Sequence, residues 1–250
     1  SVAAVVNVKR CKKLDVPQYV QADSKWGDDV YDHLGWMLVY NKIRHKGCAL
    51  TASAMVSSYF TKPYNFQTDP SKLNLDLKEN SGYTRDPIRG FGNIKWFVVA
   101  CLSKAMEFDY LNSVDKKGII TDQKIREIIE NKIDNNIPVI IKAPGVIAKY
   151  HYYVIKGKCS DGWIVHDPLL GPDRKKKFEE IDILGTRIFN PVPYPAPCKR
   201  SIWSWLSSPA ELIITDPSSN KTGFDAISQT IIRNIPNSTY FEDAIDNDET

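Results

Sequence analysis

The chain has 250 residues, 42% of them apolar and 25% charged, with a formal net charge of +3. That length makes one large domain or one and a half ordinary ones, with enough apolar side chain to bury a substantial core. The small net charge argues against a nucleic-acid partner, which calls for a strongly basic face, and no apolar run approaches the ~18 residues of a membrane span.

The N-terminal SVAAVVNVKR lacks the charged, apolar and cleavage regions of a signal peptide, so none is expected within the sequence. After the basic VKRCKK, the alternation of VPQYVQ (16–21) predicts a short strand, and Trp26 with Asp28 and Asp29 opens a loop. From Cys48 the apolar positions Ala52, Met55, Val56, Tyr59 and Phe60 share one helical face, and the helix ends near Pro63. Residues 61–92, rich in Asn, Asp, Pro and Gly, read as loop. Ile94, Phe97, Val98, Cys101, Leu102 and Ala105 predict a second helix over 92–106. Ile125, Ile128, Ile129 and Ile133 predict a third over 121–136, with Thr121 or Asp122 as N-cap.

Then the period changes. PVIIKAPG (138–145) is a β-branched run bounded by proline and glycine, as in a buried strand. YHYYVIKG (150–157) and WIVHDP (163–168) are two strands joined by KCSDG in a hairpin-type connection. RKKKFEEIDIL (174–184) adds a further element, although its RKKK reads as a solvated loop rather than a phosphate grip. PVPYPAP (191–197) is an extended polyproline-type segment, and WSWLSSPAELIITDP (203–217) returns a strand to the sheet. Trp203 and Trp205 are read as packing residues rather than a ligand groove. The final FEDAIDNDET holds five acids and no base, as a solvated tail does. Helices first and strands later predict an α+β fold, with one main domain over 1–215 and an acidic extension over 216–250.

Cys48 is the residue with chemistry to explain. It follows Gly47 at a predicted helix start, where the helix dipole favours the thiolate that acts as nucleophile. Such a thiolate needs a base and a group that orients the base. His151 opens one strand of the predicted hairpin and Asp167 ends the other, so both fall at its open end. Ideal pairing leaves them offset by about three residues, roughly 10 Å along a strand, which a bulge or wide turn must absorb. His166 lies beside Asp167 but points to the opposite strand face, so only one of the two looks into the site; Asp167 is the candidate. The Cys48 backbone N–H and the upstream Gln21 amide are the candidate oxyanion donors. His45, three residues before Cys48, lacks the second ligand pair of a zinc site, and no metal or organic cofactor is called for. Five cysteines without a CxxC leave at least one thiol outside any disulfide. Cys11, Cys101, Cys159 and Cys198 show no partner pattern, which fits an intracellular protein or a secreted one with few or no disulfides.

VPQYVQADSKW, GCALTASAM, IPVIIKAPG followed by YHYYVIKG, and WIVHDPLLG resemble, in this order over about residues 16–170, the bacterial papain-like peptidase family related to bacteriocin-leader (double-glycine) peptidases. The resemblance implies a papain-like architecture, a helical half packed on an antiparallel sheet. It implies Cys48 as nucleophile, His151 as general base, Asp167 as orienting acid and Gln21 as oxyanion glutamine. Tyr150 stands where the family carries glycine before its histidine, and residues 61–92 and those beyond about 190 have no counterpart. The expected activity is hydrolysis of a peptide bond in a peptide or protein substrate. A peptidoglycan amidase or endopeptidase with the same triad is the enzymatic alternative, and a catalytically silent papain-like binding or assembly module is the alternative from another class.

Overall fold

A computed structural model of the chain describes residues 11–32, 41–86, 90–116, 120–145, 149–177, 180–198, 212–225, 227–228, 230–236 and 238. Trp203, Trp205 and the acidic run 241–250 lie outside the described residues.

Alanine, serine and threonine dominate the segment that follows Gly47, and small side chains let a helix be surrounded on all sides. The helix α2 (Cys48–Thr61), preceded by the single turn α1 (Ile43–Lys46), is accordingly buried at every residue except Cys48 and Tyr59. Two of its buried hydroxyls donate to carbonyls: Ser53 Oγ to Ala49 O and Ser58 Oγ to Thr68 O, both at 2.8 Å. Both α2 and the later helix α5 (Asp122–Asp134) pack against the strands β5 (Val139–Pro144) and β6 (Tyr150–Cys159). Thr121 caps α5 by accepting from Lys124 N, and Ile125, Ile128, Ile129 and Ile133 turn its apolar stripe to the core.

The main antiparallel sheet has the order β4-β9-β5-β6-β7-β8, with β1 pairing to β6 off this path. Its other members are β1 (Lys12–Lys13), β4 (Met106–Phe108), β7 (Gly162–Asp167), β8 (Gly171–Lys177) and β9 (Gly185–Pro191). Val139, Ile140, Ile141, Tyr152, Val154, Ile155 and Val165 in its centre have no measurable exposure. The helix α4 (Trp96–Ser103) stacks on it through the tilted contact of Trp96 with Tyr152. The fold is α+β, as its order of elements predicts. Among the described residues no helix is long and apolar enough to cross a membrane.

Several elements differ from the expectations. VPQYVQ is not a strand: Pro17 has no N–H to offer a ladder, and the flanking bonds go elsewhere, Leu14 N to Lys156 O and Gln21 N to Pro168 O. Its alternation records burial of Val16 against the core. The predicted loop at 61–92 contains α3 (Pro70–Glu79) and the hairpin of β2 (Tyr83–Asp86) and β3 (Gly90–Ile94). Asp69 caps α3 by accepting from Lys72 N, Pro70 stands in its first turn, and Leu73 and Leu77 are buried one turn apart. The helix predicted over 92–106 starts later, at Trp96, because residues up to Ile94 belong to β3. RKKK lies within β8 rather than in a loop. Ile213–Thr215 joins no main-sheet strand. As β10 it pairs with β11 (Lys221–Asp225), and β11 pairs with β12 (Thr230–Arg233), so residue 215 falls inside one small sheet.

The cysteines differ most. Cys11 is bonded to Cys159 and Cys101 to Cys198, which leaves Cys48 outside both disulfides. The partners are 148 and 97 residues apart in sequence, a separation that spacing patterns do not encode. Bridges of this kind persist in oxidising surroundings.

The packing of α5 gives a direct test. Ile129→Ala removes a fully buried side chain and is expected to lower unfolding free energy by about 2–5 kcal/mol, against about 1 kcal/mol for the cap change Thr121→Ala. Urea denaturation monitored by circular dichroism separates the two, and equal costs would contradict the placement of Ile129 in the core.

Candidate active site

The turn between α1 and α2 places Cys48. Gly47 N donates to Ile43 O at 2.7 Å, closing α1, and Thr51 N donates to Gly47 O at 2.8 Å, opening α2. A Cβ on Gly47 would stand 2.4 Å from Ile43 O and 2.6 Å from Ile43 Cγ2. Only glycine permits this approach. Cys48 therefore occupies the first position of a fourteen-residue helix, partly exposed while the residues behind it are buried. A helix N-terminus carries partial positive charge and favours a thiolate there. The nearby basic side chains are already engaged: Lys42 Nζ lies 2.8 Å from Asp28 Oδ1, and Arg44 also pairs with Asp28.

His151 and Asp167 meet across β6 and β7. His151 Nε2 is 2.8 Å from Asp167 Oδ1, and both side chains are largely buried, at 12% and 3% exposure. The register explains how they meet. Next to the turn, Cys159 pairs with Gly162, Lys158 with Trp163 and Gly157 with Ile164. Farther out, Ile155 pairs with Val165 and Val154 with His166, so Lys156 is an extra residue, a bulge on β6. Continued one step, the outer register sets Asp167 opposite Tyr153, on the face that Tyr153 shares with His151. The offset falls from three residues to two, a diagonal separation within reach of an imidazole. Without the bulge Asp167 would oppose Val154 and point to the other face.

Burial pushes the Asp167 carboxyl up, but the bond with His151 and the backbone N–H groups of Leu169 and Leu170 outweigh it, leaving its pKa below the ordinary 3.8. Leu169 N donates to Asp167 Oδ1 at 2.8 Å. The carboxylate is thus held ionised beside the imidazole. With Nε2–H donating to Asp167, the lone pair of a neutral imidazole is on Nδ1. The Tyr153 ring packs edge-on against His151, centroids 4.6 Å apart.

Gln21 links the two halves. Its backbone N donates to Pro168 O, next to Asp167, at 2.8 Å. Its side-chain Nε2 donates to Arg44 O, four residues before Cys48, also at 2.8 Å. The residue is 4% exposed, and its Oε1 has no hydrogen-bond partner among the described residues. The sequence candidates are therefore joined in a chain of contacts, His151 to Asp167 directly and Asp167 through Pro168 and Gln21 to the helical turn that leads to Cys48. His166 is elsewhere. It is buried with Nε2 at 3.0 Å from both Lys156 Nζ and Val16 O.

Sequence reasoning missed three of the groups that hold these residues, the Pro168 and Arg44 carbonyls and the Leu169 N–H, because backbone groups leave no residue-type signal. The bulge was expected from the odd offset, which in a two-residue period cannot place both side chains on one face; that it falls at Lys156 is what the register adds.

Comparison with known proteins adds a family. The model of the Peptidase_C39 like family matches residues 13–182, a span that includes all four candidates. No curated protein sequence matches the chain. A crystal structure of a Bacillus anthracis protein described as a C39-like peptidase aligns with 15% identity and a TM-score of 0.42, covering 72% of this chain and 97% of that one.

The depressed carboxyl predicts a pH signature. A group whose pKa is lowered by folding stabilises the fold above its unfolded value and loses that contribution as pH falls through the folded value. The difference in urea midpoint between wild type and Asp167→Asn is expected to hold steady near neutrality and to narrow as pH drops below 3.8. A gap that does not change over that window would show that the ionised carboxylate contributes nothing.

Proposed function

The chain belongs to the Peptidase_C39 like family, and we propose that it is a cysteine peptidase in which Cys48 is the nucleophile, His151 the general base, Asp167 the orienting acid and Gln21 an oxyanion donor. The observation that carries the reading is the 2.8 Å contact of His151 Nε2 with Asp167 Oδ1. It commits one ring nitrogen to the carboxylate and leaves Nδ1 to accept the thiol proton. The helix start at Cys48 and the tether of Gln21 to Arg44 O support the other two roles.

The thiolate of Cys48 attacks the scissile carbonyl carbon, and the electron pair of the C=O moves to oxygen. The Cys48 N–H and the second N–H of the Gln21 amide donate to that oxyanion, an arrangement that acts where charge develops. As the intermediate collapses, the C–N bond breaks and the imidazolium returns its proton to the departing amine. The resulting thioester is attacked by water, whose proton goes to His151. Breaking the C–S bond then releases the carboxylic acid and restores the thiol. Asp167 stabilises the imidazolium in both halves and stays ionised throughout, as its depressed pKa allows.

The family makes a peptide or protein the substrate. A peptidoglycan stem peptide would use the same four groups, and nothing in the fold favours it over an ordinary polypeptide.

Iodoacetamide near pH 6 tests the thiolate. Because the other four cysteines are bridged, the adduct is expected on Cys48 alone, at a rate that falls about tenfold or more in His151→Ala. Labelling of Cys48 at the same slow rate in both proteins would sink the enzyme reading. Incubation of wild type and Cys48→Ala with a peptide library and with purified sacculi then names the substrate class by the cleavage that the variant lacks.

A further inference from the structure

Lys156 is a charged residue with no part in the chemistry, yet it is 4% exposed. Burying an ammonium is costly unless the group is held by partners. Its position supplies the reason. Lys156 is the extra residue of the β6 bulge, where the register with β7 changes between Ile155 and Gly157. Both of its ends are tied. Its carbonyl accepts from Leu14 N at 2.7 Å, and its Nζ lies 3.0 Å from Nε2 of His166, the residue next to Asp167. Val16 O lies 3.0 Å from that same Nε2, and since one ring nitrogen cannot both accept from Lys156 and donate to Val16, the bond by which the 14–16 segment holds the junction is that of Leu14 N. Gly157 completes this hold: a Cβ there would stand 2.4 Å from Lys12 O, so only glycine lets β1 lie this close.

We infer that Lys156 is a positioning residue for the proposed peptidase, a register lock that holds Asp167 on the same face as His151. A one-residue slip reverses every side chain of a strand. Here the slip that removes the bulge would carry Asp167 to the Val154 face and leave His151 without its carboxylate. The Lys156 Nζ–His166 contact ties the bulged residue to the strand position next to Asp167, and therefore fixes which register survives. Asp15, whose carboxyl is lowered chiefly by Lys62 and to a smaller degree by Lys156, is the acidic group on the facing segment. This inference rests on the reading of Cys48, His151 and Asp167 as the reacting groups.

The test compares Lys156→Met, Lys156→Arg and Lys158→Met in the full chain, with disulfides intact. Lys158 is next but one along β6 and pairs at the surface with Asp134, so it controls for loss of charge. Two readouts are taken on protein shown folded by circular dichroism. The first is Cys48-dependent peptide cleavage. In Lys156→Met kcat is expected to fall about 10²-fold or more, the scale of a lost general base, with KM little changed, while Lys156→Arg recovers much of it and Lys158→Met matches wild type. The second is the imidazole ¹⁵N spectrum of His151, recorded in a Cys48→Ala background, where no thiol proton can pass to the ring. With Lys156 in place the neutral ring is expected in the Nε2–H tautomer, and in Lys156→Met in a mixture. A Lys156→Met protein with lowered melting temperature but unchanged kcat and unchanged His151 tautomer would overturn the lock and leave the peptidase reading standing. A tautomer change in a protein whose wild type cleaves nothing would uphold the lock and overturn the peptidase reading.

Discussion

Strand β6 is the part on which the site depends, and the constraint it obeys is complete burial of its middle. Tyr152, Val154 and Ile155 have no exposure, so the strand must be covered on both faces and paired along both edges. β5 pairs along one edge from Tyr150 to Ile155, and β1 takes over that side at Gly157 and Lys158. β7 takes the other edge, and α2 and α5 pack against the strand. A helix pressed against a buried strand has its axis fixed by that packing. The first residue of α2 and the first residues of β6 are then located by the core itself.

The second half of the arrangement is a strap. Residues 11–21 run from the Cys11–Cys159 disulfide, through β1, the bond at Leu14 and the close approach of Val16 O to His166, to the bond of Gln21 N with Pro168 O. Each attachment is to β6, β7 or the turn that follows them. The strap then turns through Trp26, whose indole N–H donates to Val20 O, and returns to α1 by way of Gly27 O and Arg44 N. A single stretch of chain thus connects the sheet half to the helix half, and Gln21 is where it crosses from one to the other. Along this path Gln21 is held at both ends, its backbone N by Pro168 O and its side-chain amide by Arg44 O.

The three helices that were expected were legible because each depends on a period that residue types display. Ile125, Ile128, Ile129 and Ile133 show it plainly, and Thr121 marks the start. α3 left a weaker trace: Asp69, Pro70, Leu73 and Leu77 carry a start signal and one turn of apolar spacing, hidden in a composition that reads as loop. The four site candidates were legible as residue types in a family order, Cys48 by its glycine and helix, His151 and Asp167 by the open end of a hairpin. The disulfides were not, because a pairing across 148 residues is set by the topology and not by local sequence. Nor were the backbone carbonyls of Pro168 and Arg44, since every residue carries one. The alternation of VPQYVQ misled because a lone segment packed on a core shows the same inside–outside pattern as a strand in a ladder.

The pairing of the cysteines has a consequence for how the chain reaches this state. Most ways of sorting five cysteines into two bridges and one thiol consume Cys48. A thiol at a helix start is also a ready attacker of disulfides, since exchange proceeds through the thiolate. The residue best suited to reaction is therefore the one most able to scramble the bridges during oxidation. What protects it is geometry. Cys11 and Cys159 are drawn together at the end of β6 by strand pairing, and Cys101 and Cys198 where the 192–198 segment bonds Lys104 and Ala105. The correct bridges follow once those contacts exist, so oxidation before folding traps the chain and oxidation after folding spares its thiol.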